Sequence, residues 1–79
     1  MTKALATYSL GSIMAGLRVS AQLRQTDLAA ETGLSGAERV SNIENDKSPL
    51  TVDLFMAWCG VCRADPSEVM ATIVNKSVG

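Results

Sequence analysis

Histidine is absent from this 79-residue chain, and prolines, cysteines and aromatic residues are few: two, two, and one each of tryptophan, tyrosine and phenylalanine. Without histidine there is no Ser/His or Cys/His pair for nucleophilic catalysis. Two cysteines cannot close a tetrahedral metal site within one chain. Cys59 and Cys62 lie three apart, which is no disulfide framework, and reduced thiols are the default. No glycine-rich phosphate loop occurs, and no apolar run approaches the ~20 residues of a membrane span. The opening residues, Met1–Ser9, lack the apolar core of a signal peptide. The expectation is a cytoplasmic, non-enzymatic protein without membrane contact, cofactor, metal or small-molecule ligand. A surplus of either charge is also missing. Seven basic residues face eight acidic ones, for a net charge of −1. A domain that binds nucleic acid by bulk charge is strongly basic, so any such contact must rest on a few placed residues.

What is present is apolar. Counting glycine in place of tyrosine, slightly more than half of the residues are apolar, above the ~45–50% of ordinary domains. A chain of this size makes one domain and buries only roughly 60–65% of its unfolded surface, so pairing with a partner would help it. The charge is uneven. Residues 1–47 balance Lys3, Arg18, Arg24, Arg39 and Lys47 against Asp27, Glu31, Glu38, Glu44 and Asp46. Residues 48–79 carry the deficit. There are no repeats, linkers or low-complexity segments.

The pattern is helical throughout. Residues 1–8 read as a loose arm or a backward extension of the first helix. From Ser9, a capping residue, Leu10, Ile13, Met14 and Leu17 mark one helical face. Gln25 to Thr32 forms a second helix with Leu28 and Ala29 inward, stopped by Gly33, because glycine takes the left-handed conformation without steric cost. Arg24 before it cannot act as a side-chain acceptor. Ser35-Gly36-Ala37-Glu38 reads as a capping box that opens a third helix. In that helix Val40 and Ile43 face inward, leaving Glu38, Arg39, Ser41, Asn42 and Asn45 outward. Asp46-Lys47-Ser48-Pro49 ends it. Thr51 caps a fourth helix with two apolar faces: Val52, Phe55, Trp58, Cys59 and Cys62 on one, Leu54, Ala57 and Val61 on the other. Burial on both sides, one of them by another subunit, follows. Asp65-Pro66-Ser67-Glu68 starts a fifth helix, expected to end near Val74, with Val69, Met70 and Ile73 as its apolar face and residues 75–79 as a frayed tail.

Trp58-Cys59-Gly60-Val61-Cys62 looks like the redox motif of thioredoxins. That chemistry needs a low-pKa thiolate at a helix N-terminus, held by a sheet. Nothing before Val52 reads as a βαβ unit, and residues 63–79 read as a single helix. The favoured reading places both cysteines mid-helix as inert small hydrophobes.

With these helices placed, the chain resembles the helix-turn-helix family of phage repressors and Cro proteins. The match runs from about Leu10 to Met70. It rests on Leu17-Arg18, Gln25-Thr26-Asp27-Leu28-Ala29, Gly33-Leu34-Ser35, Val40-Ser41-Asn42-Ile43-Glu44-Asn45 and Asp65-Pro66-Ser67-Glu68-Val69. The resemblance implies an all-α, five-helix lambda-repressor-like bundle, whose second helix crosses the DNA backbone while its third lies in the major groove. By that correspondence Gln25 and Asn45 meet phosphate, with Lys47 nearby, and Ala37, Glu38, Arg39 and Asn42 meet bases. The chemistry suits this: arginine pairs with guanine, asparagine with adenine, and glutamate accepts from cytosine N4. Arg24, Ser35 and Ser41 complete the candidate DNA-binding set. The family also often pairs an arginine and a glutamate at positions matching Arg18 and Glu44, each next to an inward apolar residue. The chain departs from the family pattern in three places. An extra residue lies between Ser35 and Val40, Arg24 replaces a small capping residue, and Asp46 replaces the usual glycine.

The expected function is a sequence-specific DNA-binding transcriptional regulator, a small repressor that binds double-stranded DNA as a homodimer. Its dimer interface is expected among Leu54, Ala57, Val61, Met70 and Ile73. The alternative is a protein-interaction module of the same fold, such as an antitoxin subunit or an anti-repressor.

Overall fold

The capping residues set where the helices begin. In the computed structural model, which describes residues 9–78, α1 spans Leu10–Ser20, α2 Gln25–Thr32, α3 Ala37–Glu44, α4 Val52–Val61 and α5 Pro66–Val78. There is no strand among the described residues, and the fold is all-helical. Ser9 Oγ accepts from the Ser12 amide at 3.0 Å, and Thr51 Oγ1 from the Leu54 amide at 3.1 Å. At α5, Asp65 Oδ1 accepts from the Ser67 amide at 2.9 Å, beside a proline in the first helical position. Each bond satisfies a donor that the helix itself leaves unpaired.

Three of the stops use a device without glycine. Gln22, Asp46 and Arg63 adopt φ near +60° directly after α1, α3 and α4. In each case the next amide reaches back to a carbonyl five residues earlier: Leu23 to Arg18, Lys47 to Asn42 and Ala64 to Cys59. These are Schellman turns built on residues that carry a Cβ. Among the described residues, α2 alone stops on a glycine, Gly33 at φ 83°.

The core gathers Met14 from α1, Leu28 and Ala29 from α2, Val40 and Ile43 from α3, Phe55, Trp58 and Cys59 from α4, and Val69 from α5. α3 packs on both α1 and α2, α4 on α2, and α5 on α4. Trp58 is fully buried, and its Nε1 donates to the Met14 carbonyl at 3.1 Å. The indole therefore ties α4 to α1 while filling the centre.

Several expectations change. α3 begins at Ala37 with Gly36 as its N-cap and no side-chain cap, so Ser35–Glu38 is not a capping box. Gly36 is extended, so the helix starts later than a cap at Ser35 implies, with Val40 and Ile43 inward as expected. Cys62 is the C-cap of α4, not a mid-helix residue, because the chain turns at Arg63. Leu10 is 39% exposed. α5 continues to Val78, past the expected stop at Val74, since no glycine or proline interrupts it. The expectation for residues 1–8 and for Gly79 lies outside the described residues.

Trp58→Ala should destabilise the domain by about 3–5 kcal/mol, the usual cost of emptying a large aromatic site. Trp58→Phe keeps most of the volume and loses the hydrogen bond, and should cost less. Urea unfolding followed by circular dichroism checks both, and an alanine variant of wild-type stability would refute the central role of the indole.

Candidate nucleic-acid interface

α2 and α3 are joined by the four residues Gly33–Gly36, and the outer surface of this pair is where the sequence places its polar contacts. Arg24, Ser35, Glu38, Arg39, Asn45 and Lys47 are exposed. Gln25, Ala37, Ser41 and Asn42 are half-buried. At the head of α2 the Arg24 amide donates to Asp27 Oδ2 at 2.9 Å, and its guanidinium also donates to that carboxylate. Asp27 thus supplies one half of a capping box, and Arg24, which has no acceptor to offer, supplies none of the other. The Arg24 side-chain bond and then its amide hold the Asp27 carboxyl below the usual carboxylate range. An acidic residue three positions after the cap is the sequence signal for this role of Asp27.

The last turn of α3 is the most heavily bonded point of the surface. Arg18 Nε donates to Glu44 Oε2 at 2.6 Å, and Arg18 Nη2 to Glu44 Oε1 at 3.2 Å. The two side chains are 16% and 6% exposed. Arg18 Nη1 donates to the Leu23 carbonyl at 2.8 Å, fixing the α1–α2 turn with the same guanidinium. Gln25 Nε2 donates to Glu44 Oε1 at 3.0 Å. The Glu44 bond, against the opposing effect of partial burial, raises the Arg18 pKa above its ordinary value. A planar fork that holds both carboxylate oxygens suits arginine and not lysine. Glu44 therefore joins α1, the head of α2 and α3 through one carboxylate.

Gln25, which the family resemblance would set on phosphate, spends an amide hydrogen inside the protein. Asn45 Nδ2 donates to the Ser41 carbonyl at 2.8 Å and to Ser41 Oγ at 3.3 Å, so these two residues form a unit. Asp46 Oδ1 accepts from the Gly11 amide at 2.9 Å, thirty-five residues away in sequence. No local signal marks that contact. Glu38 and Arg39 project from the first turn of α3 and Lys47 lies just beyond its end, which leaves these charges available to a partner.

The cysteines sit at the C-terminal end of α4, where the helix dipole disfavours a thiolate. Burial pushes the Cys59 thiol up, and the Asp65 charge adds to it. Burial likewise raises Cys62, with Cys59 adding and Arg18 opposing. Thiol–disulfide chemistry at a redox motif needs the opposite shift.

The expected dimer stripe is only half-buried. Leu54 and Val61 pack against the core, and Ala57 lies between them. Met70, of the expected interface, is 47% exposed, and the other apolar residues left outward on α4 and α5 are Val52 at 77%, Met56 at 51% and Val74 at 50%. With Leu10, Leu50, Phe55 and Ile73 several of these line a groove between α4 and α5.

No protein-family model, curated protein or solved structure matches the chain.

Arg18→Met should strand the Glu44 carboxylate and destabilise the fold by roughly 3–5 kcal/mol, less whatever Gln25 recovers. Replacing both partners with apolar residues should restore much of the loss. A double-mutant cycle on thermal unfolding measures the coupling, and a value near zero would mean that the two side chains do not interact in solution.

Proposed function

We propose that the chain is a sequence-specific DNA-binding regulator of the lambda-repressor-like type, with α2 and α3 as its helix-turn-helix and α3 as the recognition helix. One observation carries this reading. A short helix displays Glu38, Arg39 and Asn42 at its outer surface, while its other end is bonded to α1 and α2 through Glu44. Base reading requires such an arrangement: adaptable hydrogen-bonding groups on a support whose position is fixed. Arg39 is the residue best suited to guanine and Asn42 to adenine. Lys47, Arg24 and the Ser41–Asn45 unit flank the helix as phosphate contacts. The charge balance makes binding depend on these few groups, and repression by occupancy of an operator is the simplest mode of action.

A second copy completes the reading. Dimers of this type engage half-sites about 34 Å apart. The exposed methionines of the α4–α5 groove make Met56 and Met70 better interface residues than Leu54, Ala57 and Val61, which are already drawn toward the core. Ile73 lines the same groove. The same groove favours the second reading, a protein-interaction module of this fold, in which another protein covers it.

Selection of bound duplexes from a random pool by purified protein tests the first reading, and enrichment of no sequence would refute it. On a selected duplex, Arg39→Ala should weaken binding by about 1–3 kcal/mol and relax preference at one base pair. A loss equal on all sequences would make Arg39 a phosphate contact. Met70→Glu should turn a dimer into a monomer in analytical sedimentation, because an unpaired charge is costly to bury. A wild-type chain that is monomeric at high concentration, and on DNA as well, would remove the dimer.

A further inference from the structure

We infer that Asp46 is a positioning residue for α3: with Gly11 it forms a joint that fixes the direction of α3 against α1. The inference rests on the DNA-binding reading for its consequence, and on geometry for its existence. Asp46 takes φ 61°, a left-handed conformation that side chains with a Cβ adopt at a cost. Gln22 and Arg63 take the same turn, so the turn does not call for an aspartate, and its identity needs a separate reason. Its carboxylate provides one by accepting from the Gly11 amide, one of the donors that α1 leaves unpaired in its first turn.

Gly11 has the complementary reason. A Cβ there would lie 2.5 Å from the carbonyl oxygens of both Ile43 and Glu44. The first turn of α1 therefore rests directly on the last turn of α3, backbone to backbone, and only glycine permits it. Neither identity has a local explanation. Within α1 the glycine weakens the helix, and after α3 the aspartate strains the turn, yet each is accounted for by the other.

The joint lies beside the Arg18–Glu44 bond and not on it. Gly11 and Arg18 are two helical turns apart on α1, and both meet the C-terminal turn of α3. Two points of attachment along one helix define a direction, where one would leave a pivot. The other end of α3 has no side-chain cap and starts from Gly36. Val40 roots its first turn in the core, and the joint at the far end sets the direction in which the outward Glu38 and Arg39 point. For a helix of this length, a tilt of about 10° at the joint moves the first turn by roughly 2 Å, enough to break a bidentate base contact.

The joint also separates two properties that one charge would otherwise merge. Asp46 is negative and close to the expected phosphates, so removing its charge alone favours binding. Removing its acceptor misdirects the helix. Asparagine tolerates the left-handed turn and keeps an oxygen for Gly11. Glycine keeps the turn and lacks the oxygen.

Residual dipolar couplings on labelled Asp46→Asn and Asp46→Gly measure the α1–α3 angle. Affinity, scaled to folded protein, is read on a duplex selected by the wild-type chain and on a random duplex. Asp46→Asn should keep the wild-type angle and specificity ratio. Asp46→Gly should change the angle and lower the ratio by about tenfold or more, consistent with loss of a bidentate base contact. Its binding to random duplex should hold or rise. A merely stabilising role would lower the folded fraction and leave the ratio intact. An unchanged angle or an unchanged ratio in Asp46→Gly overturns the proposal. A wild-type chain that selects no duplex overturns the DNA reading instead, and the angle then decides the joint by itself.

Discussion

The carboxylate of Glu44 is the point at which this small protein is tied together. It receives two hydrogen bonds from Arg18 and one from Gln25, and Arg18 Nη1 donates to the Leu23 carbonyl. One ion pair thus spans three helices and a turn. In a core with few aromatic residues, apolar packing alone leaves the relative rotation of short helices poorly defined. Directional bonds near the core edge supply that definition, and the desolvation they cost is offset because every charged atom has a partner. An ion pair of this kind adds specificity of arrangement more than net stability.

Helix starts were legible in the sequence wherever a cap is a local event. Ser9, Thr51 and Asp65 each act within three residues, and each appears as read. Helix stops were less legible. Among the described residues glycine marks the end of α2 alone, whereas Gln22, Asp46 and Arg63 turn the chain in a conformation that their side chains do not announce. The start of α3 misled for a related reason. Ser35 and Glu38 have the spacing of a capping box, but Gly36 is extended and the helix starts at Ala37 without a side-chain cap.

The candidate site divides the same way. The outward position of Glu38 and Arg39 follows from helical periodicity. That Gln25 bonds Glu44, and that Asp46 bonds Gly11, depends on which helix ends meet in three dimensions, which no spacing reveals. The apolar stripes of α4 were visible as two faces. The larger, with Phe55, Trp58 and Cys59, fills the core, and the smaller is drawn in beside it, which no spacing reveals. The structure turns Leu54 and Val61 toward the core and leaves Val52 and Met56 outside.

The single tryptophan sits at zero exposure with its indole nitrogen bonded to a helix carbonyl. Its emission is therefore set by a dry, fixed environment at the seam of α1 and α4, on the core side of the protein. A ligand held at the outer surface of α2 and α3 would leave that emission nearly silent, while loosening of the interior would shift it toward that of an indole in water. The chain carries an optical gauge of its own integrity, blind to occupancy, so the two events can be followed separately in one sample.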